Sequence, residues 1–150
     1  MLFLGSICMK PVKNAVAYVI YNSDRSKLLS IQRPSDDEDL PNVWGLPAGS
    51  LKRDETEEEA VLRSGKEKLG VRLKVVKKIK SGELERENYV LRLTDYEAVI
   101  IDGEPRVPQN VPGVTQYQRW KWAPPEILKE AAQKGSLCCR LYLESIGKKW

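Results

Sequence analysis

The chain is constrained most by one well-delimited helix set between strand-rich segments. Thr56-Glu-Glu-Glu59 has the form of a capping box, in which the Thr56 hydroxyl and the Glu59 carboxylate each take a backbone N–H of the first turn. From there Val61, Leu62, Gly65 and Leu69 recur at helical spacing, and Gly70 supplies the stop. Before the helix, Ala15–Tyr21 is β-branched and aromatic, as a buried strand requires. Asn22–Asp24 supplies turn chemistry, and Lys27–Arg33 is expected to return as the second strand of a hairpin. Pro34 and Ser35–Asp39 form a charged loop, and Trp44-Gly-Leu-Pro-Ala-Gly49 is too punctuated for a regular helix.

After the helix, Val71–Val75 alternates as a strand, and Tyr89–Ile101 is a long β-rich run ended by Asp102-Gly103. A Pro- and Gly-rich loop spans Pro108–Gly113, and Gln116–Trp122 offers another strand. Pro125 opens a helix that Gly135 closes, and Leu137–Ile146 is amphipathic. With 150 residues, no repeat and no linker, this order predicts a single α/β domain over 1–150 with a mixed sheet.

The chain contains no histidine. That excludes Ser-His-Asp and Cys-His nucleophile systems, His-ligated zinc or haem, and a histidine pH switch. Acid–base work must come from carboxylates, Lys, Tyr, Cys or metal-bound water. Three cysteines, two of them the adjacent Cys138 and Cys139, fit neither a disulfide framework nor zinc spacing; they predict buried thiols in a reduced, cytoplasmic setting. The apolar start, Met1–Met9, lacks a basic flank and a cleavage site and is too short to span a bilayer. Residues 1–9 are expected to be an N-terminal extension, with Met9 an alternative start.

The net charge of +4 is unevenly placed. Residues 36–59 carry nine acids and two bases, whereas 60–80 carry eight bases and one acid. The helix macrodipole accounts for part of this, since first-turn acids and last-turn bases each gain about 0.3–1 kcal/mol. It does not account for Glu67, alone among bases.

Gly49, Glu55, Arg63, Glu67, Gly70 and Val71 stand at fixed spacings: glycine, five residues, glutamate, seven residues, arginine, and then the last three. This pattern resembles the Nudix box, and Trp44–Gly49 and the Leu28–Arg33 strand resemble what precedes it. The resemblance implies a Nudix-type α/β/α sandwich with a mixed sheet. It also implies hydrolysis of a nucleoside diphosphate linked to another moiety, with Mg²⁺ or Mn²⁺ bridging helix carboxylates and the pyrophosphate.

Positions 64, 67 and 68 share one helix face by i+3 and i+4 steps. The family has a glutamate at each; this chain has Ser64, Glu67 and Lys68, whose formal charges cancel. An ammonium at a ligand position opposes a bound cation by about 1–4 kcal/mol. Gly65 also replaces a bulky aliphatic residue and is expected to allow close packing of helix on sheet.

Glu67 is therefore the expected metal ligand and, with Arg63 and Glu55, the expected catalytic group. Arg63 either orients carboxylates or braces the helix, and Glu55 fastens the Gly49 loop to it. Missing ligands are sought at Glu55, Glu58, Glu59 or Asp36–Asp39, and a base at Glu83, Glu85 or Glu87. Lys68 and Arg33 are the expected substrate-binding cations, and Trp44 is assigned to the core.

Two functions follow. One is a Nudix-type hydrolase of nucleotide pyrophosphates with an atypical metal site. The alternative is a catalytically inactive Nudix-fold protein in which Lys68 supplies the missing positive charge to a phosphorylated nucleotide ligand. A nucleic-acid partner bound through Arg72, Lys74, Lys77, Lys78 and Lys80, with positions 72, 74, 78 and 80 on one strand face, is the weakest reading, since no aromatic residues interleave them. The expected partner is a nucleotide-like small molecule, with no membrane, and an exposed strand edge would permit a homodimer.

Overall fold

The structure, a computed structural model, describes residues 10–150, so the expectations for residues 1–9 lie outside the described residues. Strand β1 (Val12–Val19) organises the fold, with Val16, Ala17, Tyr18 and Val19 all fully buried. Both of its edges are occupied. Strand β4 (Ala48–Ser50) pairs antiparallel on one side and β6 (Val90–Asp102) pairs parallel on the other. Strand β5 (Arg72–Glu85) closes a mixed sheet of order β4-β1-β6-β5.

The expected hairpin between Ala15–Tyr21 and Lys27–Arg33 does not form as a strand pair. Strand β2 (Leu28–Gln32) touches the first segment only through a bridge between Tyr21 and Leu28. Because both edges of β1 are filled, β2 turns away and pairs antiparallel with β3 (Trp44–Gly45) and β7 (Arg119–Ala123) in a second sheet.

Helix α1 (Glu57–Leu69) carries the capping box at Thr56 and Glu59, and Gly70 ends it at φ 65°, the left-handed conformation that favours glycine. It lays Ala60, Val61 and Leu69 on Val16, Tyr18, Ile20 and Tyr96. The alternate residues Ala17, Val19 and Leu93 face the last helix, α3 (Leu137–Ser145), on the opposite side of the sheet. The α/β/α layering thus follows from the two-residue period of β1. The helix expected from Pro125 to Gly135 is split into a 3₁₀ turn (Pro125–Leu128) and a short α2 (Lys129–Gln133).

Gly65 sits where α1 meets the sheet: a Cβ there would lie 2.8 Å from Leu73 Cγ and closer still to its Cδ1. Because Leu73 is buried, the strand side has no room to yield. Gly65→Ala is therefore expected to destabilise the protein by up to about 2 kcal/mol, overpacking of about 1–3 kcal/mol outweighing the ~1 kcal/mol gained in helix propensity. A denaturant midpoint that rises instead would show that helix and sheet separate freely.

Strand β5 is much longer than the expected Val71–Val75, because register shifts hide its periodicity. Lys74 pairs with Val99, Lys78 with Tyr96 and Lys80 with Asp95, so Lys78 faces the opposite side of the sheet from Lys74 and Lys80. The single basic stripe expected of residues 72, 74, 78 and 80 does not exist. Trp44 is half-buried rather than in the core, its ring under the Lys121 ammonium at 4.3 Å.

Candidate functional site

Two stripes of α1, each an i, i+4 pair, build the site. Arg63 and Glu67 form one. Arg63 donates to both oxygens of Glu55 at 2.7 and 2.9 Å, to Glu67 at 2.9 Å and to the Ser50 carbonyl at 2.6 Å. Glu55 also accepts the Lys52 N–H at 2.9 Å, and the Arg63 guanidinium holds its carboxyl down at about 2. Arg63 thus both braces the helix and fixes two carboxylates, and Glu55 fastens the loop after Gly49 to the helix.

Ser64 and Lys68 form the second stripe, aimed at strand β4. The Lys68 ammonium donates to the Ala48 carbonyl at 2.5 Å and lies 5.4 Å from the centre of the Tyr117 ring. The same carbonyl accepts Ser64 Oγ at 3.2 Å and Tyr117 OH at 3.1 Å. Ser64 is fully buried, 2.9 Å from the Tyr18 hydroxyl, and burial pushes the Tyr18 phenol up so that it stays neutral. One carbonyl oxygen therefore collects an ammonium and two hydroxyls. An ammonium and a hydroxyl thus stand where the family resemblance calls for carboxylates.

These residues do not fit a divalent cation. Glu67 is engaged by Arg63, its other oxygen is 3.9 Å from Lys52 Nζ, and Lys68 holds the neighbouring carbonyl. The described residues contain no group of three or more acidic, cysteine or histidine side chains placed to share a metal. Four of the other acids considered are occupied elsewhere. Glu59 closes the helix cap, Asp37 binds Arg33, Glu83 pairs with Arg92 and Glu85 pairs with Lys10.

Lys68 separates two adjoining cavities. One, of about 220 Å³, is lined by Arg33, Ala48, Lys68, Arg86, Tyr89 and Tyr117, among others. The other, of about 200 Å³, is lined by Lys52, Arg63, Glu67, Lys68 and Thr115. The fold thus brings Arg33 and Lys68 to one cavity, although they are far apart in sequence. Arg33 is clamped by Asp37 at 3.0 and 3.1 Å, which fixes its guanidinium at the rim. Thr115 and Tyr117 come from the loop before β7.

Sequence reasoning missed four participants. The Ala48 carbonyl is backbone and leaves no side-chain signal. Tyr18 and Tyr117 resemble ordinary strand residues, and only the fold brings them to Ser64 and Ala48. Arg86 lies in the turn after the unexpectedly long β5, and its Nη2 donates to the Gly135 carbonyl at 3.2 Å.

The architecture has many counterparts among solved structures. The E. coli ORF135 protein superposes with a TM-score of 0.68 at 25% identity, covering 97% of this chain and 93% of that one. A NUDIX hydrolase from Nitrosomonas europaea gives 0.70 at 18% identity, covering 94% and 93%. The MutT protein from Methanosarcina mazei Go1 gives 0.68 at 17%, covering 90% and 96%. Among curated proteins, none matched. The NUDIX domain itself matches residues 11–138, taking in the Gly49–Val71 helix motif and every strand of both sheets. The chain belongs to the NUDIX domain family.

Proposed function

We propose that this protein binds a nucleotide-like ligand through its diphosphate, with the Lys68 ammonium supplying the positive charge that a divalent cation would otherwise bring. The observation that carries this reading is the position of Lys68. Its ammonium is anchored on the Ala48 carbonyl between two cavities, and Arg33 and Arg86 line the larger one. Ammonium and guanidinium groups make charge-assisted bonds to phosphate oxygens, and Arg does so with fixed planar geometry. Tyr89 and Tyr117 give the same cavity aromatic surface for a base or sugar.

The test is calorimetric titration of the protein with ADP-ribose, a nucleoside diphosphate derivative, first in EDTA and then in excess Mg²⁺. The affinity is expected to agree within about threefold between the two conditions, because no charge has to be imported. Binding that appears only with Mg²⁺ would overturn the proposal.

A second reading, hydrolysis of the bound pyrophosphate, is favoured by one observation. Glu67 and Lys68 line the same small cavity, placing a carboxylate beside an ammonium. In this reading Glu67 accepts a proton from the attacking water while Lys68 stabilises the charge developing on the phosphoryl oxygens. Arg63 and Glu55 position Glu67. Release of phosphate or nucleotide from a panel of nucleoside diphosphate derivatives, with and without Mg²⁺ or Mn²⁺, decides it. No turnover above background at high protein concentration leaves binding as the function.

A further inference from the structure

An opening of about 960 Å³ lies between α1 and the outer strand β5, on the other side of Arg63 from the Lys68 cavities. Glu58, Leu62 and Lys66 line it from one stripe of the helix, and Val71–Val75 line it from the sheet. Strand β5 is last in the sheet order, so one of its sides has no partner strand among the described residues. The walls carry five cations, Arg63, Lys66, Arg72, Lys74 and Arg106, against two acids, Glu58 and Asp102. Arg63 is committed to Glu55 and Glu67; the other four form no ion pair among the described residues. Between the cations stand two exposed apolar side chains, Leu62 at 41% and Ile101 at 51% of full exposure.

We propose that this groove docks an extended, acidic segment of a partner protein, laid along the free edge of β5 with alternate apolar side chains against Leu62 and Ile101. An unpaired strand edge beside a groove is the geometry of strand addition, in which main-chain bonds give affinity and side-chain pockets give selectivity. The edge from residue 71 to residue 75 offers about 16 Å, enough for five extended residues.

Charge decides among occupants. A second copy pairing edge to edge at this groove, centred on residue 73, would oppose Arg72 and Lys74 with the same residues, and like charges across a strand pair are destabilising. A nucleic acid strand would meet Glu58 and Asp102 as well as an apolar floor, and the lining has no aromatic ring on which a base stacks. An acidic segment with spaced apolar residues satisfies both the four cations and the exposed Leu62 and Ile101. The inference is independent of the ligand proposed for Lys68.

The experiment uses the full chain and a fluorescein-labelled decapeptide alternating Glu with Val and Leu, followed by anisotropy. A version with Lys in place of Glu and a single-stranded oligothymidylate serve as comparison probes. The acidic peptide is expected to bind, to weaken with added salt, and to lose at least tenfold in affinity in a Lys66→Glu/Arg72→Glu/Lys74→Glu variant. Leu62→Asp is expected to weaken it as well, whereas ADP-ribose binding is expected to be unchanged in both variants. All four positions are exposed, so the thermal midpoint reports directly whether the variants fold.

A photoreactive form of the peptide gives a readout that needs no substitution. Its crosslinks are expected within residues 58–75 and near Ile101, and crosslinks confined elsewhere overturn the proposal. Equal or tighter binding of oligothymidylate would make the face a general polyanion surface. Self-association that the triple variant abolishes would make it an interface between copies. An acidic-peptide affinity unaffected by the triple variant also overturns the proposal.

Discussion

Lys68→Met is expected to weaken ADP-ribose binding in EDTA by about 10–100-fold, the loss that follows when a charge-assisted bond worth about 1.5–3 kcal/mol is removed. Methionine keeps most of the stem but removes the ammonium, and with it the approach of that charge to the Tyr117 ring. The Ala48 carbonyl keeps two donors, Ser64 Oγ and Tyr117 OH, so the fold does not depend on Lys68 to satisfy that oxygen. The thermal midpoint should therefore move little while the affinity falls. An unchanged affinity would show that the ligand does not reach the ammonium.

The largest stability effect is expected at Arg63. Arg63→Met removes three hydrogen bonds to carboxylates and one to the Ser50 carbonyl. It leaves Glu55, 12% exposed, with only the Lys52 N–H as a hydrogen-bond partner. Breaking such a group strands a poorly solvated charge, and for this half-buried cluster the cost is about 2–4 kcal/mol, below the 3–5 of a fully enclosed pair.

The effect carries its own pH signature. The Glu55 carboxyl titrates at about 2 in the folded protein, against its ordinary value of 4.5, chiefly because Arg63 donates to it. A depressed folded value means that its stabilisation is fully present above the unfolded pKa and is lost as the pH falls toward 2. Urea unfolding from pH 7 downward is expected to show the difference between wild type and Arg63→Met shrinking between about pH 5 and pH 2. A difference constant over that range would mean that Arg63 acts through packing of its stem.

The parts of the molecule legible in the sequence are those specified locally. The capping box at Thr56 and the stop at Gly70 depend on residues a few positions apart, and the close approach at Gly65 is marked by its missing side chain; the structure shows all three. Strand β5 was only half legible because its register shifts break the alternation by which a strand is recognised, and basic residues dominate the interval. The departure of β2 from β1 was not legible because it depends on β4 and β6 having already filled both edges of β1.

The site divides along the same line. The i, i+4 spacing places Glu67 beside Arg63, and the loop attachment of Glu55 follows from the motif. That Lys68 turns inward to a backbone carbonyl, with Tyr18 and Tyr117 completing the cluster, arises from residues far apart in sequence. This cluster also changes how the sequence departures are to be read. Ser64 and Lys68 are not two independent losses of ligands. They are a hydroxyl and an ammonium directed at the same oxygen, with Gly49 packed so closely that its Cβ position lies 3.1 Å from Ser64 Oγ.

The central claim, that Lys68 stands in for a divalent cation, is tested most directly by the paramagnetic resonance of free Mn²⁺ during titration of the protein, in wild type and in Lys68→Glu. No stoichiometric Mn²⁺ site is expected in the wild type. One is expected to appear in Lys68→Glu, where the ammonium is replaced by a carboxylate next to Glu67. A single tight Mn²⁺ ion bound by the unmodified protein, and lost in Glu67→Gln, would contradict the account.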